Sequence, residues 1–290
     1  MSPSLVINRA SIEGGIKMEY AEIPKRTWNA VKNYCNSLIR GGQRWIFRGQ
    51  ADSQWRLESN MERLLGVDGT NRFVELDLMN LFRRRLNQYL PSQRIPESTA
   101  EVLALIQHYG GPTRLLDWTF SYYIAAYFMW EDRTPHPHRA LWAINYDWLR
   151  PQTFDLLRPH FTSPLEIVAK DAKHILDEDV FSELLFASYK AIVPVEPFKV
   201  NDRIMVQNGL FLMNTSTDAS FEENFGDYDK ADCRRNIRKI TLPNSKREEI
   251  LNELQLMNIT PSYLFPGVDG LSKSLSYQAE HTSRQLRGKP

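Results

Sequence analysis

The sequence has few cysteines and no long apolar run. Cys35 and Cys233 are its only cysteines and neither belongs to a C-x-x-C pair, which argues against a disulfide scaffold and fits a reducing compartment. No run of about 18 apolar residues occurs, and the first residues lack a basic segment followed by an apolar one. We therefore expect a cytoplasmic protein that has no membrane partner.

Common catalytic signatures are also missing. There is no Walker loop, G-x-S-x-G, H-E-x-x-H or G-x-G-x-x-G motif, so hydrolase, kinase and Rossmann-fold interpretations lose their usual support. The six histidines show no metal-ligand spacing, since His136 and His138 lie in a Pro-rich polar stretch typical of a solvated turn. We expect no metal.

Charge of one sign is not in excess. The 290 residues carry a formal net charge of +1, which gives no global attraction to nucleic acid. Two local runs differ: ten arginines and no lysine between positions 40 and 94, and seven basic residues against one acidic residue between 230 and 247. These runs suggest a nucleic-acid acceptor whose phosphates would be held by Arg83, Arg84, Arg85, Arg234, Arg235 and Arg238. The alternative is that they are ordinary solvated faces.

The apolar spacing predicts an α+β domain, and 42% hydrophobic residues suffice for a core. Helices are expected at 26–40, 73–90, 98–109, from about 121 onward, and at 246–258 with a cap at Ser245. Strands are expected at WIF (45–47), ALWAI (140–144), AIVPV (191–195), LFLM (210–213) and IRKITL (237–242), while LLDWT (115–119) is expected to lie in a loop. One domain is expected at 22–272, between an N-terminal extension (1–21) and a C-terminal tail (273–290).

The stretch WIFRGQ places Arg48 at the end of an apolar strand. A guanidinium there needs a carboxylate, a phosphate or backbone carbonyls, because desolvating it without a partner is costly. Gly49 would let a ligand approach the backbone. The alternative, an internal salt bridge, is favoured on these residues alone.

The stretch HYGGPTRLLDWTFS concentrates polar groups before a very apolar helix. Ser121 at the start of that helix, with the unpaired N–H groups of the first turn, predicts a place for an anion or a sugar hydroxyl. The alternative is a capped core helix in which Arg114 and Asp117 pair with each other.

Two later stretches add candidates. In RIMVQNGLF, the Gln207 amide would bind a ligand or tie down a turn. In LFPGVDGL, Asp269 would pair with a buried arginine, which is a structural role.

Together, WIFRGQ, HYGGPTRLLDWTFSYYIAAYFM, RIMVQNGLF and LFPGVDGL resemble, in order and spacing, the FRG domain, a bacterial and phage-associated module named for its Phe-Arg-Gly motif. The resemblance covers about 44–271. A second similarity is to mono-ADP-ribosyltransferases, in which an aromatic-Arg-Gly strand, a Ser/Thr-rich motif with its helix and a later strand with Glu or Gln follow one another. The matching positions here are Arg48, Thr119 and Ser121 with Ala125 and Phe128, and Gln207.

This second similarity implies a transferase-like mixed sheet core surrounded by helices, with NAD as substrate. It implies that Arg48 and Gln207 are catalytic, and that Arg48, Gly49, Trp118, Thr119, Ser121 and Tyr122 bind NAD. Trp118 or a nearby tyrosine would stack on nicotinamide. Arg114, Asp117 and Asp269 remain structural.

The sequence departs from many active transferases at the last motif, because VQNGLF contains no carboxylate. A glutamine cannot act as a general base at neutral pH. Either another acid such as Asp117 or Glu196 serves, or the acceptor supplies its own nucleophilicity, or the fold persists without activity.

These features predict an NAD-dependent mono-ADP-ribosyltransferase-like effector, a bacterial toxin or antiphage protein that modifies a macromolecule such as RNA and has an antitoxin partner. One alternative is a non-catalytic module that binds a nucleotide or nucleic acid. Another is a structural α+β interaction domain in which Arg48, Asp117 and Asp269 form a buried ion network.

Overall fold

Seven strands form one mixed sheet in the computed structural model, which describes residues 18–89, 96, 98–160, 178–197 and 202–287. The strands are β1 (Ala21–Pro24), β2 (Trp45–Gln50), β3 (Leu115–Thr119), β4 (His138–Asn145), β5 (Ile192–Val195), β6 (Gly209–Asn214) and β7 (Ile237–Pro243). Their order across the sheet is β1-β7-β4-β2-β3-β6-β5. Only β1 and β7 are parallel, and the other neighbours are antiparallel.

The sheet is nearly divided at its centre. β2 pairs with β4 along its whole length, whereas β2 and β3 share the single pair Phe47↔Thr119. We call β1-β7-β4-β2 the β2 half-sheet and β3-β6-β5 the β3 half-sheet. Because one residue pair joins them, the backbone polar groups of β2 and β3 on either side of that pair are left for other partners.

Helices surround the sheet, so the α+β class is confirmed. Those in the described residues are α1 (Trp28–Arg40), α2 (Asn60–Leu65), α3 (Asn71–Tyr89), α4 (Thr99–His108), α5 (Tyr122–Glu131), α6 (Tyr146–Leu157), α7 (Glu178–Leu185), α8 (Asp202–Val206), α9 (Lys230–Asn236), α10 (Arg247–Leu256), α11 (Pro261–Leu264) and α12 (Val268–Arg287). None of the described helices is long and apolar enough to cross a membrane.

Most predicted elements are present, with three differences. The loop expected through 119 is wrong for residues 115–119, since these form the interior strand β3. The predicted cap of α10 is also wrong, because Ser245 lies in a short 3-10 turn and the cap position, Lys246, makes no side-chain cap bond. The predicted domain boundaries fall inside β1 at the N-terminal end and inside α12 at the C-terminal end; residues 1–17 and 288–290 lie outside the described part.

Strand alternation sends side chains into two core layers. On one face, Phe47 and Ala143 pack against α1, α5 and α10, and under the β3 half-sheet the same face packs against α3, α4 and α7. On the other face, Ile46, Trp142 and Ile144 pack with α6 and the segment that leads into α9. Each large apolar side chain fully buried in these layers contributes about 1.5–3 kcal/mol.

A buried ion pair joins α3 to the start of β3. Arg114 Nε lies 2.5 Å from a Glu75 carboxylate oxygen, and both side chains are 2% exposed. The other Glu75 oxygen accepts from the Arg114 backbone N–H, and Arg114 Nη1 donates to the Thr215 carbonyl. The ion-pair partner of Arg114 is therefore Glu75, and the proposed pairing of Arg114 with Asp117 is wrong.

Candidate functional site

A cavity of about 570 Å³ lies where the two half-sheets meet, and we call it the junction cavity. The sheet contributes Phe47, Arg48, Gly49, Asp117, Trp118 and Thr119. The helices and their flanking turns contribute Ala125, Phe128, Glu131, Arg203, Gln207, Phe265, Asp269, Ser272 and Lys273. Its volume falls within the roughly 300–1,000 Å³ typical of small-molecule sites.

Asp117 is the carboxylate at the base of this cavity. It lies in the middle of β3, where its four strand neighbours are buried, yet it is exposed. A central strand residue is exposed in this way because its side chain faces the cavity. Its carboxylate accepts a hydrogen bond from Gln107 Nε2 at 3.0 Å.

Arg48 spans the junction. Its Nη1 donates to the carbonyl oxygen of Asp117 at 2.8 Å, which replaces part of the missing ladder between β2 and β3. Its Nε is buried without a hydrogen-bond partner, and Arg48 forms no ion pair with the carboxylates of the described residues. Burial lowers the pKa of the guanidinium, and the nearby Asp117 carboxylate partly opposes that effect. The buried network of Arg48, Asp117 and Asp269 is therefore not formed.

Gly49 is required by the packing of α5 on β2. A side-chain carbon at this position would lie 2.0 Å from the Ala125 carbonyl oxygen and 2.5 Å from the Met129 nitrogen. Both contacts are to backbone, so α5 would have to move. The space beside Gly49 is thus filled by the helix, whereas the sequence suggested that it is left open for a ligand.

The mouth of the cavity is cationic and aromatic. Arg203 lies over the Phe265 ring with its guanidinium carbon 4.9 Å from the centroid, and Lys273 Nζ lies 3.6 Å from the same centroid. Lys273 also forms an ion pair of 2.6 Å with Glu131, the last residue of α5. Asp269, in the first turn of α12, is exposed at the rim.

Thr119 and Gln207 line the cavity, but each has a partner within the protein. The Thr119 hydroxyl donates to the Gln207 carbonyl at 2.7 Å and accepts from the Ser121 N–H at 3.0 Å. Gln207 Nε2 donates to the Leu264 carbonyl at 2.9 Å. These bonds tie β3, the turn before β6 and α11 together, so both residues hold the walls in place.

Three predicted NAD-binding residues do not face the cavity with free polar groups or rings. Ser121 is the N-cap of α5, and its hydroxyl accepts from the Ile124 N–H. Tyr122 is buried against α1, where its hydroxyl donates to Asn36. Trp118 borders the cavity, but its side chain is 3% exposed and packs in the core of the other sheet face, so it is not placed to stack on nicotinamide.

The predicted acceptor arginines lie away from the junction cavity, and most have partners. Arg234 pairs with Glu19, Arg235 with Asp232, and Arg238 donates to the Tyr34 hydroxyl and to two backbone carbonyls of α9. Arg83 donates to Thr99, while Arg84 and Arg85 are exposed on α3. Glu196, the second acid suggested for catalysis, accepts from the Tyr146 hydroxyl and does not line the cavity.

The wall residues that were not predicted as ligand contacts include Glu131, Arg203, Phe265 and Lys273. Arg203 and Phe265 lie inside the stretches RIMVQNGLF and LFPGVDGL, so these motifs could have indicated them. Lys273 lies two residues after the second stretch, and its position there is the sequence feature that could have indicated it. Among the described residues, no group of three or more His, Cys, Asp or Glu side chains is arranged to hold a metal ion.

Part of the lining of the junction cavity lies in a segment that matches a known protein family. Residues 43–138 match the family model of the FRG domain. Over this segment the chain is similar to the FRG domain. The matched segment runs from the residues before β2 to the first residue of β4 and includes Arg48, Gly49, Asp117 and Thr119.

The FRG match covers 96 of the 290 residues, so it is shorter than the resemblance drawn from the motifs. The opposite wall of the cavity, with Arg203, Gln207, Phe265 and Lys273, lies outside it. No curated protein and no solved structure matches the chain. The geometry of the cavity must therefore support any proposal about its chemistry.

Proposed function

We propose that the junction cavity binds NAD and that the protein transfers ADP-ribose from NAD to a macromolecule. The observation that carries this proposal is the exposed carboxylate of Asp117 at the base of a cavity that also presents Arg48, Arg203 and Lys273. A site that binds NAD and breaks its bond to nicotinamide needs both positively and negatively charged side chains. Its pyrophosphate is anionic, whereas the ribose becomes an oxocarbenium-like cation when the bond to nicotinamide breaks.

The cations have different surroundings, which suggests a division of roles. Arg48 gives one hydrogen bond to Asp117 and keeps its other donors for the pyrophosphate or a ribose oxygen. Arg203 and Lys273 lie over Phe265 at the mouth, where a second phosphate group or the adenosine half would enter. Thr119 and Gln207 act as positioning residues, because their hydrogen bonds fix the walls.

Asp117 supplies the carboxylate that VQNGLF lacks. In the proposed step, the bond between ribose C1′ and the nicotinamide nitrogen breaks, and its electron pair leaves with the neutral nicotinamide. The nucleophilic atom of the acceptor forms the new bond to C1′ and gives its proton to Asp117, which passes the proton to solvent. With water as acceptor, the same step yields free ADP-ribose.

The division of the sheet is a second support. A cleft opens where β2 and β3 stop pairing, and its two walls come from different half-sheets. The arrangement is compatible with the transferase-like core that the motif order implied. A protein with this activity would act as a toxin or as an antiphage effector, and growth arrest on expression of the wild type but not of Asp117→Asn is the expected cellular result.

A non-catalytic nucleotide-binding module is the second candidate. It is favoured by one observation, the commitment of the Gln207 amide to Leu264 in a segment that has no carboxylate of its own. This candidate predicts that NAD binds and that no nicotinamide is released.

The deciding experiment incubates the purified protein with NAD labelled in the adenylate half, together with RNA, DNA and cell protein. We expect release of nicotinamide and label in one macromolecular fraction. Asp117→Asn, which keeps size and hydrogen bonding, is expected to lower the release by at least about 100-fold. Arg84→Ala, a substitution of an exposed arginine on α3, is the matched control and is expected to leave it unchanged.

Binding of NAD without release of nicotinamide by the wild type would support the module and refute the transferase. Equal release by the wild type and Asp117→Asn would remove Asp117 from the mechanism.

A further inference from the structure

A second cavity of about 210 Å³ adjoins the junction cavity, and we call it the side cavity. The two share Glu131 and Lys273 as lining residues. These two side chains form the ion pair of 2.6 Å that links the end of α5 to α12. This ion pair therefore lies between the two cavities.

The ion pair between Lys273 and Glu131 contributes little to stability and is easily broken. Both side chains are partly exposed, at 46% for Lys273 and 33% for Glu131, and an exposed pair of this kind contributes less than about 1 kcal/mol. Rotation of Lys273 away from Glu131 would widen the connection between the side cavity and the junction cavity. A group bound in the side cavity would then face the interior of the junction cavity.

The side cavity has the chemistry of a nucleic-acid subsite. Arg133 and Arg247 add to Lys273, against one acidic residue, Glu131. Tyr127 and Tyr277 provide aromatic surface on the same lining. Cations that hold phosphates beside rings that accept a base are what proteins use to bind single strands.

Arg133 and Arg247 act electrostatically on Tyr127, another residue of the same lining. Burial raises the pKa of the Tyr127 hydroxyl, and Glu131 and Tyr277 raise it further, while Arg133 and Arg247 act in the opposite direction. Both guanidinium groups are thus close enough to stabilise negative charge at the Tyr127 hydroxyl. An anionic group placed there would receive the same stabilisation.

We propose that the side cavity is the acceptor site and that it takes a nucleotide of a single-stranded nucleic acid. Arg133 and Arg247 bind its phosphate, and Tyr277 stacks on its base. This inference rests on the proposed transferase function and names the substrate class for it. It also replaces the arginines of α3 and α9 as the acceptor surface, since those do not border the junction cavity.

The test uses the full chain and a fluorescently labelled single-stranded RNA of mixed sequence. A DNA strand of the same sequence, measured beside it, distinguishes RNA from DNA as the source of the acceptor nucleotide. The variants are Arg133→Gln, Arg247→Gln and Tyr277→Leu, and the matched controls are Arg84→Gln on α3 and Arg234→Gln on α9. RNA affinity is measured by anisotropy at several salt concentrations. Release of nicotinamide is measured without RNA, and transfer of label to RNA is measured in parallel.

Each arginine variant is expected to weaken RNA binding about tenfold at low salt and to lower the slope of log affinity against log salt by about one. Tyr277→Leu is expected to weaken binding about tenfold without changing that slope. All three are expected to lose label transfer to RNA and to release nicotinamide to water at the wild-type rate, because they do not line the junction cavity. The controls are expected to match the wild type.

The two proposals fail in different ways. RNA binding that these variants leave unchanged, or label that appears on protein and not on RNA, would overturn the assignment of the side cavity. A wild type that releases no nicotinamide but binds RNA with the expected dependence on Arg133, Arg247 and Tyr277 would refute the transferase while keeping the RNA site. Among the three variants, Arg133→Gln is expected to disturb folding least, because Arg133 is exposed and its replacement leaves the core intact. Its results therefore decide between the two proposals.

Discussion

Arg48 donates a hydrogen bond from Nη1 to the carbonyl oxygen of Asp117 at 2.8 Å, across the junction of the two half-sheets. The bond joins a side chain of β2 to the backbone of β3 where these strands share a single residue pair. It places the arginine beside the carboxylate without neutralising either group through an ion pair. The same contact thus holds the walls of the cavity and leaves charge available inside it.

Arg48→Ala is expected to abolish NAD turnover in a protein that remains folded. The loss of one hydrogen bond from a charged donor costs about 1.5–3 kcal/mol, and no buried carboxylate is left without its partner. Glu75→Ala is the comparison, because it leaves the buried charge of Arg114 uncompensated and is expected to cost about 3–5 kcal/mol. Urea denaturation measures the stability of both variants, and a separate assay of nicotinamide release by the folded proteins measures turnover. A loss of stability for Arg48→Ala as large as that for Glu75→Ala would mean that Arg48 is structural.

Gly49→Ala is expected to destabilise the protein by about 3 kcal/mol, since the added carbon meets the backbone of α5 and no flexible side chain can move aside. Gly41→Ala is the control, because its new carbon would meet only the Leu38 carbonyl at an ordinary 3.5 Å. The measurement is the free energy of unfolding of both variants. Equal stabilities would show that α5 does not press on β2 as described.

Ser121→Ala is expected to cost about 1 kcal/mol of stability and to leave NAD affinity unchanged, because the hydroxyl caps α5 outside the junction cavity. Ser121→Asp, which retains a capping oxygen, is expected to restore most of the stability. Thermal unfolding measures the change in stability of each variant, and titration calorimetry measures its affinity for NAD. A fall in affinity for both variants would return Ser121 to the ligand site that the sequence suggested.

Glu62 is expected to make stability depend on pH. Burial raises its pKa from 4.5 to about 7, with the negative charges of Glu58 and Glu222 adding to the effect and the N–H of Phe221 opposing it. The folded state therefore holds the proton more tightly than the unfolded state. This contribution to stability is complete below about pH 4.5 and is lost as the pH rises to about 7.

Glu62→Gln removes this titration. The stability of the variant relative to the wild type is expected to rise between pH 4.5 and 7 and to level off above that range. The exposed carboxylate of Glu249, replaced in Glu249→Gln, is the control. Parallel curves of unfolding free energy against pH for the wild type and Glu62→Gln would contradict the expectation.

The sequence predicted the elements better than their contacts. Apolar spacing was sufficient for β2, β4, β6 and β7 and for the main helices, because each has a clear period or cap. It failed for LLDWT, where one exposed Asp117 inside an apolar run looks like a polar loop although it faces a cavity in the sheet. Local pattern contains no information about which later segment will create that cavity.

The candidate site shows the same limit. Arg48, Thr119, Ser121 and Gln207 were expected in one cleft; three of them line the junction cavity, whereas Ser121 caps α5 outside it. The roles of Thr119 and Gln207 depend on partners far along the chain, and so does the pairing of Arg114 with Glu75, 39 residues earlier. Lys273 and Phe265 become wall residues only because α11 and α12 fold back over the junction.

The order of the strands also sets when the junction cavity can form during synthesis. β1 pairs with β7, and Lys273 borders the cavity, so the first described strand waits for residues more than 200 positions later to leave the ribosome. Such long-range pairing folds late. A nascent chain that has not reached residue 273 would contain Arg48 and Asp117 without the α12 residues that complete the lining of the cavity.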